Sequence, residues 1–135
     1  MPDYQMEVDL SVRYRDIDAV GHVNNAVYVS FLEQARVEYL DAVLDITELQ
    51  PGFLVASVTV DYERPILLDE EVVVSLGVTD IGTASVEMGY EVRADGEVAA
   101  TASSVIVAVD PETESSRPVP ETWREKIAAH EGRTF

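Results

Sequence analysis

A chain of 135 residues, 47% of them hydrophobic, has enough apolar material for one core of ordinary size and no room for a second. Its formal charge of −17 opposes association with nucleic acid or an anionic membrane, and the absence of cysteine excludes disulfides and thiolate metal sites. No apolar run approaches the ~20 residues of a bilayer-spanning helix, and Met1-Pro2-Asp3-Tyr4 lacks the basic and apolar regions of a secretion signal, so a cytosolic location is expected.

The charge is built in a particular way. Lys126 is the only lysine beside eight arginines, which is the pattern of a halophilic protein. Crowded carboxylates repel one another in dilute buffer, and at about 1 M salt a Debye length of ~3 Å screens them. An ordinary acidic protein is the alternative.

In chain order, Val8, Leu10, Val12 and Tyr14 alternate with polar residues, the period of a half-buried strand. Over 25–44 the spacing changes, and Tyr28, Phe31, Leu32, Ala35, Tyr39 and Val43 recur at three- and four-residue steps, predicting a long helix that Asn24 or Asn25 caps and that ends before Pro51-Gly52. Val29, Val37 and Leu40 make this helix apolar on more than one side, so a sheet that wraps it or a partner subunit is expected to cover it. Four strands follow, over 53–63, 71–79, 84–93 and 97–109, with Pro65 ending or kinking the first of them. Asp95-Gly96 is a two-residue hairpin signal and Asp80-Ile81-Gly82-Thr83 can turn the preceding pair, so the last three strands form an antiparallel meander. Residues 118–130 predict a short terminal helix with Trp123, Ile127 and His130 on one face.

Nearly every unusual polar choice falls in the strand-to-helix connection, Arg13-Tyr14-Arg15-Asp16-Ile17-Asp18-Ala19-Val20-Gly21-His22-Val23-Asn24-Asn25. Asp16 and Asp18 can simply form turns or caps. The run from Asp16 to Asn25, continuing through Tyr28 into Phe31-Leu32-Glu33-Gln34-Ala35-Arg36, resembles the hotdog-fold acyl-CoA thioesterases of the 4-hydroxybenzoyl-CoA thioesterase group. The later Asp61-Tyr62-Glu63-Arg64-Pro65-Ile66 is similar to that group's second-strand motif.

The resemblance implies one α+β hotdog domain over residues 1–135, a five-stranded antiparallel sheet around one long central helix. It implies Asp18 as the catalytic carboxylate, acting as nucleophile on the thioester or as base for water. Free amides at a helix N-terminus supply donors for developing negative charge, and the resemblance puts the oxyanion at the backbone N–H of Asn25. Gly21 lets the loop turn or approach a ligand, and His22 orients water or the carboxylate, or only bonds the loop. The stretch His22-Val23-Asn24-Asn25 also resembles a segment of acyl-carrier-protein thioesterases of the same fold, so Asn24 joins the candidates.

Tyr28, Glu33 and Arg64 are further candidate substrate contacts. Glu33 is the second choice for the chemistry, with pairing to Arg36 as its structural alternative. Arg64, Arg93 and Arg117 are the guanidinium groups considered for the phosphates of coenzyme A. A serine-hydrolase elbow Gly-x-Ser-x-Gly is absent. No metal or redox cofactor is implied; the expected partners are an acyl-CoA and further copies of the chain, as a homodimer or homotetramer with active sites at the interface. A hotdog hydratase, an acyl-carrier-protein thioesterase and a non-catalytic acyl-CoA binding module are the alternatives.

Overall fold

A computed structural model of the chain describes residues 4–46 and 52–135, so Pro51, expected past the end of the long helix, lies outside the described residues. The elements are β1 (Met6–Ser11), a 3-10 turn at Tyr14–Asp16, α1 (Asn25–Leu44), β2 (Phe53–Tyr62), β3 (Glu71–Ile81), β4 (Ser85–Ala94), β5 (Glu97–Ala108) and α2 (Glu121–Glu131). The first strand stops earlier than the alternation through Tyr14 predicts. The Asp16 carboxylate accepts the Arg13 amide at 2.8 Å, closing a turn that takes the backbone out of the sheet and leaves Tyr14 on the surface.

All pairings are antiparallel, in the order β1-β3-β4-β5-β2. The predicted meander is β3-β4-β5. Asp95 and Gly96 join β4 to β5 with φ of 48° and 83°, the two left-handed residues of a type I′ turn, whose twist matches that of the strands it joins. The two strands nearest the N-terminus close the sheet at opposite edges, β1 beside β3 and β2 beside β5.

Helix α1 lies against the sheet and buries Tyr28, Phe31, Leu32, Ala35 and Tyr39, the stripe its periodicity predicts. Arg36 is buried beside that stripe. It donates to the Tyr90 hydroxyl at 3.3 Å, and Tyr90 shares a 2.6 Å hydrogen bond with Ser104, while Glu33 stands 3.9 Å away at the surface. The second apolar side of α1 is open in the single chain, with Val29 and Val37 39% and 48% exposed. At the C-terminus, α2 begins after Pro120 and buries Ile127. Its Glu131 carboxylate accepts the Tyr39 hydroxyl at 2.5 Å and the Val78 amide at 3.0 Å, covering the part of β3 that β1 does not reach. Among the described residues no helix is long and apolar enough to cross a membrane.

Candidate active site

The connection between the 3-10 turn and α1 is a small closed loop. Ile17 and Val23 bridge as an antiparallel pair, the Asp18 amide donates to the His22 carbonyl at 3.0 Å, and the Gly21 amide donates to the Asp18 carbonyl at 3.0 Å. Asp18 Oδ1 accepts the Val20 amide at 2.9 Å, so one carboxylate oxygen fixes the turn while the second has no protein donor among the described residues. Gly21 sits at φ 89°, the left-handed conformation that the turn requires, with no protein atom where a Cβ would stand. Two main-chain bonds anchor the loop, from the Val23 amide to Ile66 O and from the Asn24 amide to Asp16 O, both at 2.8 Å.

Asn24 is the cap of α1, its Oδ1 accepting the Ala26 amide at 2.8 Å. Asn25 is therefore the first helical residue. Its amide has no intrahelical acceptor by construction and no other acceptor among the described residues.

These groups open onto a cavity of about 720 Å³. Asp18, Val20, His22, Asn24 and Asn25 form one side, and Tyr62, Glu63, Arg64 and Pro65, from the end of β2 and the residues after it, form the other. Asp18, His22, Asn24, Asn25 and Arg64 are thus brought together, with Gly21 in the turn between them.

Tyr28 is a neighbour of this site and not part of its lining. It is buried, packs edge-on against Tyr62 at 4.9 Å between centroids, and donates to the Arg64 carbonyl at 3.2 Å. Burial first, and the adjacent Tyr62 second, raise its phenol above the ordinary range, which keeps it a donor. Glu33 stands in a separate groove between β1 and α1, beside Asp9, Arg13, Arg15 and Asp16.

Arg64 has its guanidinium turned to the protein. It forks onto Glu70 at 2.7 and 3.1 Å and also donates to Pro65 O at 2.8 Å and Ala94 O at 2.6 Å. Its hydrogen bond holds the Glu70 carboxyl below the usual carboxylate range, and Glu70 in turn raises the guanidinium. The side chain braces the cavity wall and has little left for a phosphate. Arg93, ion-paired to Glu91 at 2.5 Å, and Arg117, 5.8 Å from the Trp123 ring centre, line other surfaces.

Glu63, Pro65, Val20 and Val23 are lining residues that the sequence does not mark out as candidates. Their signal is the strand end of β2 meeting Pro65, which marks a change of chain direction, but nothing in the pattern shows which loop that end faces. Among the described residues no group of three or more His, Asp and Glu side chains is arranged to hold a metal ion.

Known proteins share nearly all of this architecture. Residues 12–127 match the family described as the thioesterase-like superfamily. The chain is 28% identical over 127 residues to the long-chain acyl-CoA thioesterase FadM of Escherichia coli K12, covering 90% of this chain and 96% of that one. It is 32% identical over 116 residues to the acyl-CoA thioester hydrolase YbgC of Escherichia coli O6:H1, covering 82% and 87%. Among solved structures, a thioesterase from Thermus thermophilus, complexed with coenzyme A and Zn, is 40% identical and superposes with a TM-score of 0.89 over 100% of both chains. The residues matched by the family include both walls of the cavity and every strand but β1, and the fold is the hotdog fold: this chain belongs to the thioesterase-like superfamily.

Proposed function

We propose that the chain hydrolyses acyl-CoA thioesters in the cavity between the loop over 18–25 and the end of β2, with Asp18 as the reacting carboxylate. The observation that carries this reading is the pairing, in one cavity, of a carboxylate oxygen without a protein donor and the unbonded Asn25 amide at the start of a 20-residue helix. A thioester carbonyl on the Asn25 amide develops its negative charge where a donor and the positive end of the helix dipole already stand.

Two routes use this geometry. In one, Asp18 attacks the carbonyl carbon, the C–S bond breaks with departure of CoA thiolate, and water then hydrolyses the mixed anhydride to the free acid. In the other, Asp18 takes a proton from water, the resulting hydroxide attacks, and the proton passes to the leaving sulfur. His22, on the same wall, orients the water in either route. The roles of Asp18 and of the Asn25 amide are those that the resemblance to the 4-hydroxybenzoyl-CoA thioesterase group implies.

The same reading includes a second copy of the chain. Strand β2 has β5 on one side and a free edge on the other, and its Leu54 and Val55 are 51% and 42% exposed, while Val29 and Val37 are exposed on the open side of α1. Joining two β2 edges covers these residues and sets a partner beside the cavity wall; a homotetramer is then a pair of such dimers. The acidic composition supports a salt-adapted enzyme, and the reading places it in the cytosol.

The test is release of free thiol from short, long and aromatic acyl-CoA substrates by wild type and Asp18→Asn. Wild type should turn over. The variant should keep its fold and assembly and lose activity by about 10²- to 10⁴-fold. Tight acyl-CoA binding with no thiol release would move the chain to the binding-module reading.

A further inference from the structure

Two tyrosines tie the walls of the cavity to each other. Tyr28, on α1, donates to the carbonyl of Arg64 beyond β2 at 3.2 Å, and Tyr62, at the end of β2, donates to the carbonyl of Asn25 on α1 at 2.9 Å. Each phenol reaches the main chain on the other's side of the cavity, and the two rings meet edge to face at 4.9 Å. The pair differs in burial: Tyr28 is 2% exposed, whereas Tyr62 is 46% exposed and lines the cavity.

The acceptor of the Tyr62 hydroxyl is the residue whose amide faces the site. The carbonyl and the N–H of Asn25 lie in adjacent peptide planes, which the helical φ and ψ of that residue couple, so pinning the carbonyl restrains the direction of the N–H. An oxyanion donor acts by standing in place before the charge develops, and a misplacement of about 1 Å costs on the order of 10²-fold. Next to Asn25 the other ties are local, from the Ala26 amide to Asn24 Oδ1 and from the Val27 amide to Asn24 O. They shape the turn, and the flanking ties to the opposite wall, from the Val23 amide to Ile66 O and from the Tyr28 hydroxyl to Arg64 O, leave the Asn25 peptide itself to Tyr62. Arg64, forked onto Glu70, keeps that wall rigid enough to serve as a reference.

We infer that Tyr62 is a positioning residue, whose hydroxyl holds the first turn of α1, and so the Asn25 amide, in register with the far wall of the cavity, while Tyr28 holds that wall from within the core. This rests on the proposed thioester hydrolysis. A half-exposed hydroxyl can exchange its protein acceptor for water, so the bond adds little to stability and its effect belongs to turnover.

Tyr62→Phe keeps the ring and its contact with Tyr28 and removes only the hydroxyl. Three quantities are measured on the full chain: kcat and KM for thiol release, Tm, and amide hydrogen exchange over residues 22–30. The expected result is a kcat lower by about 10-fold or more with KM within about twofold, an almost unchanged Tm, and faster exchange in the first turn of α1. Unchanged kcat with unchanged exchange overturns the inference, as does a fall in Tm that accompanies equal losses in every parameter. If wild type releases no thiol, the hydrolase reading fails separately, and exchange in Tyr62→Phe still decides whether the hydroxyl holds the turn.

Discussion

Arg64 shows how a residue type can suggest one role and its surroundings another. A guanidinium near the cavity invites a phosphate, yet its fork is closed on Glu70, whose side chain is only 11% exposed. Replacing Glu70 by Gln should destabilise the chain by about 1.5–3 kcal/mol, because a charge-assisted pair is lost and a partly buried guanidinium is left without its counter-charge. The pH dependence has a definite sign. The Glu70 carboxyl is held low in the folded chain, so its contribution is complete above the ordinary glutamate range, near pH ~4.3, and is lost as the pH falls through the lower folded value. Thermal melts of wild type and Glu70→Gln should therefore differ at neutral pH and converge in acid; curves that stay parallel would show that the pair is not the cause. The same lesson holds for Asp16 and Asp18. Two residues apart, they face different spaces, because the carboxylate of Asp16 is taken by the Arg13 amide while Asp18 stands in the cavity lining.

Elements are more legible in the sequence than their neighbours. The long helix follows from its periodicity and its asparagine cap, and the β3-β4-β5 meander from two turn signals, because both are local. Strand order is not local. Nothing in 53–62 says that it pairs with β5 rather than with β1, so the facing of Tyr62 toward Asn25 is legible only as part of a motif. The surroundings of Glu33 are equally non-local, since a position on a helix is fixed by periodicity but the groove it overlooks is fixed by the sheet. The terminal helix is legible as a short amphipathic segment, and its place in the core, through Ile127 and through Glu131 at the uncovered edge of β3, is not. Ile127→Ala should cost about 2–5 kcal/mol, measurable by denaturant unfolding. A loss below ~1 kcal/mol would mean that α2 is only loosely docked.

At the scale of the molecule, charge and edge dominate. With 26 acidic residues against 9 basic ones, the compact state works against its own repulsion in dilute buffer. Tm should rise steeply from low to molar KCl; a flat response would leave the acidic surface as an ordinary solubility feature. Assembly is tested at the free side of β2. Val55→Lys, which places a charge on an exposed edge residue, should shift the chain to monomer in light scattering and lower thiol release along with it. A variant that stays dimeric moves the interface elsewhere.

The strand order also bears on how the chain is made. β1 pairs with 71–76 and β2 with 100–108, so the first strand has no neighbour until β3 has been synthesised and the second has none until the meander is complete. A nascent chain leaving the ribosome carries α1 with its apolar stripe uncovered until β3 has been made. The portion that can close early is the hairpin series begun at β3, since its contacts are short in sequence and its turns are built in. The helix start that the cavity uses is therefore made before the end of β2 that forms the other side of that cavity.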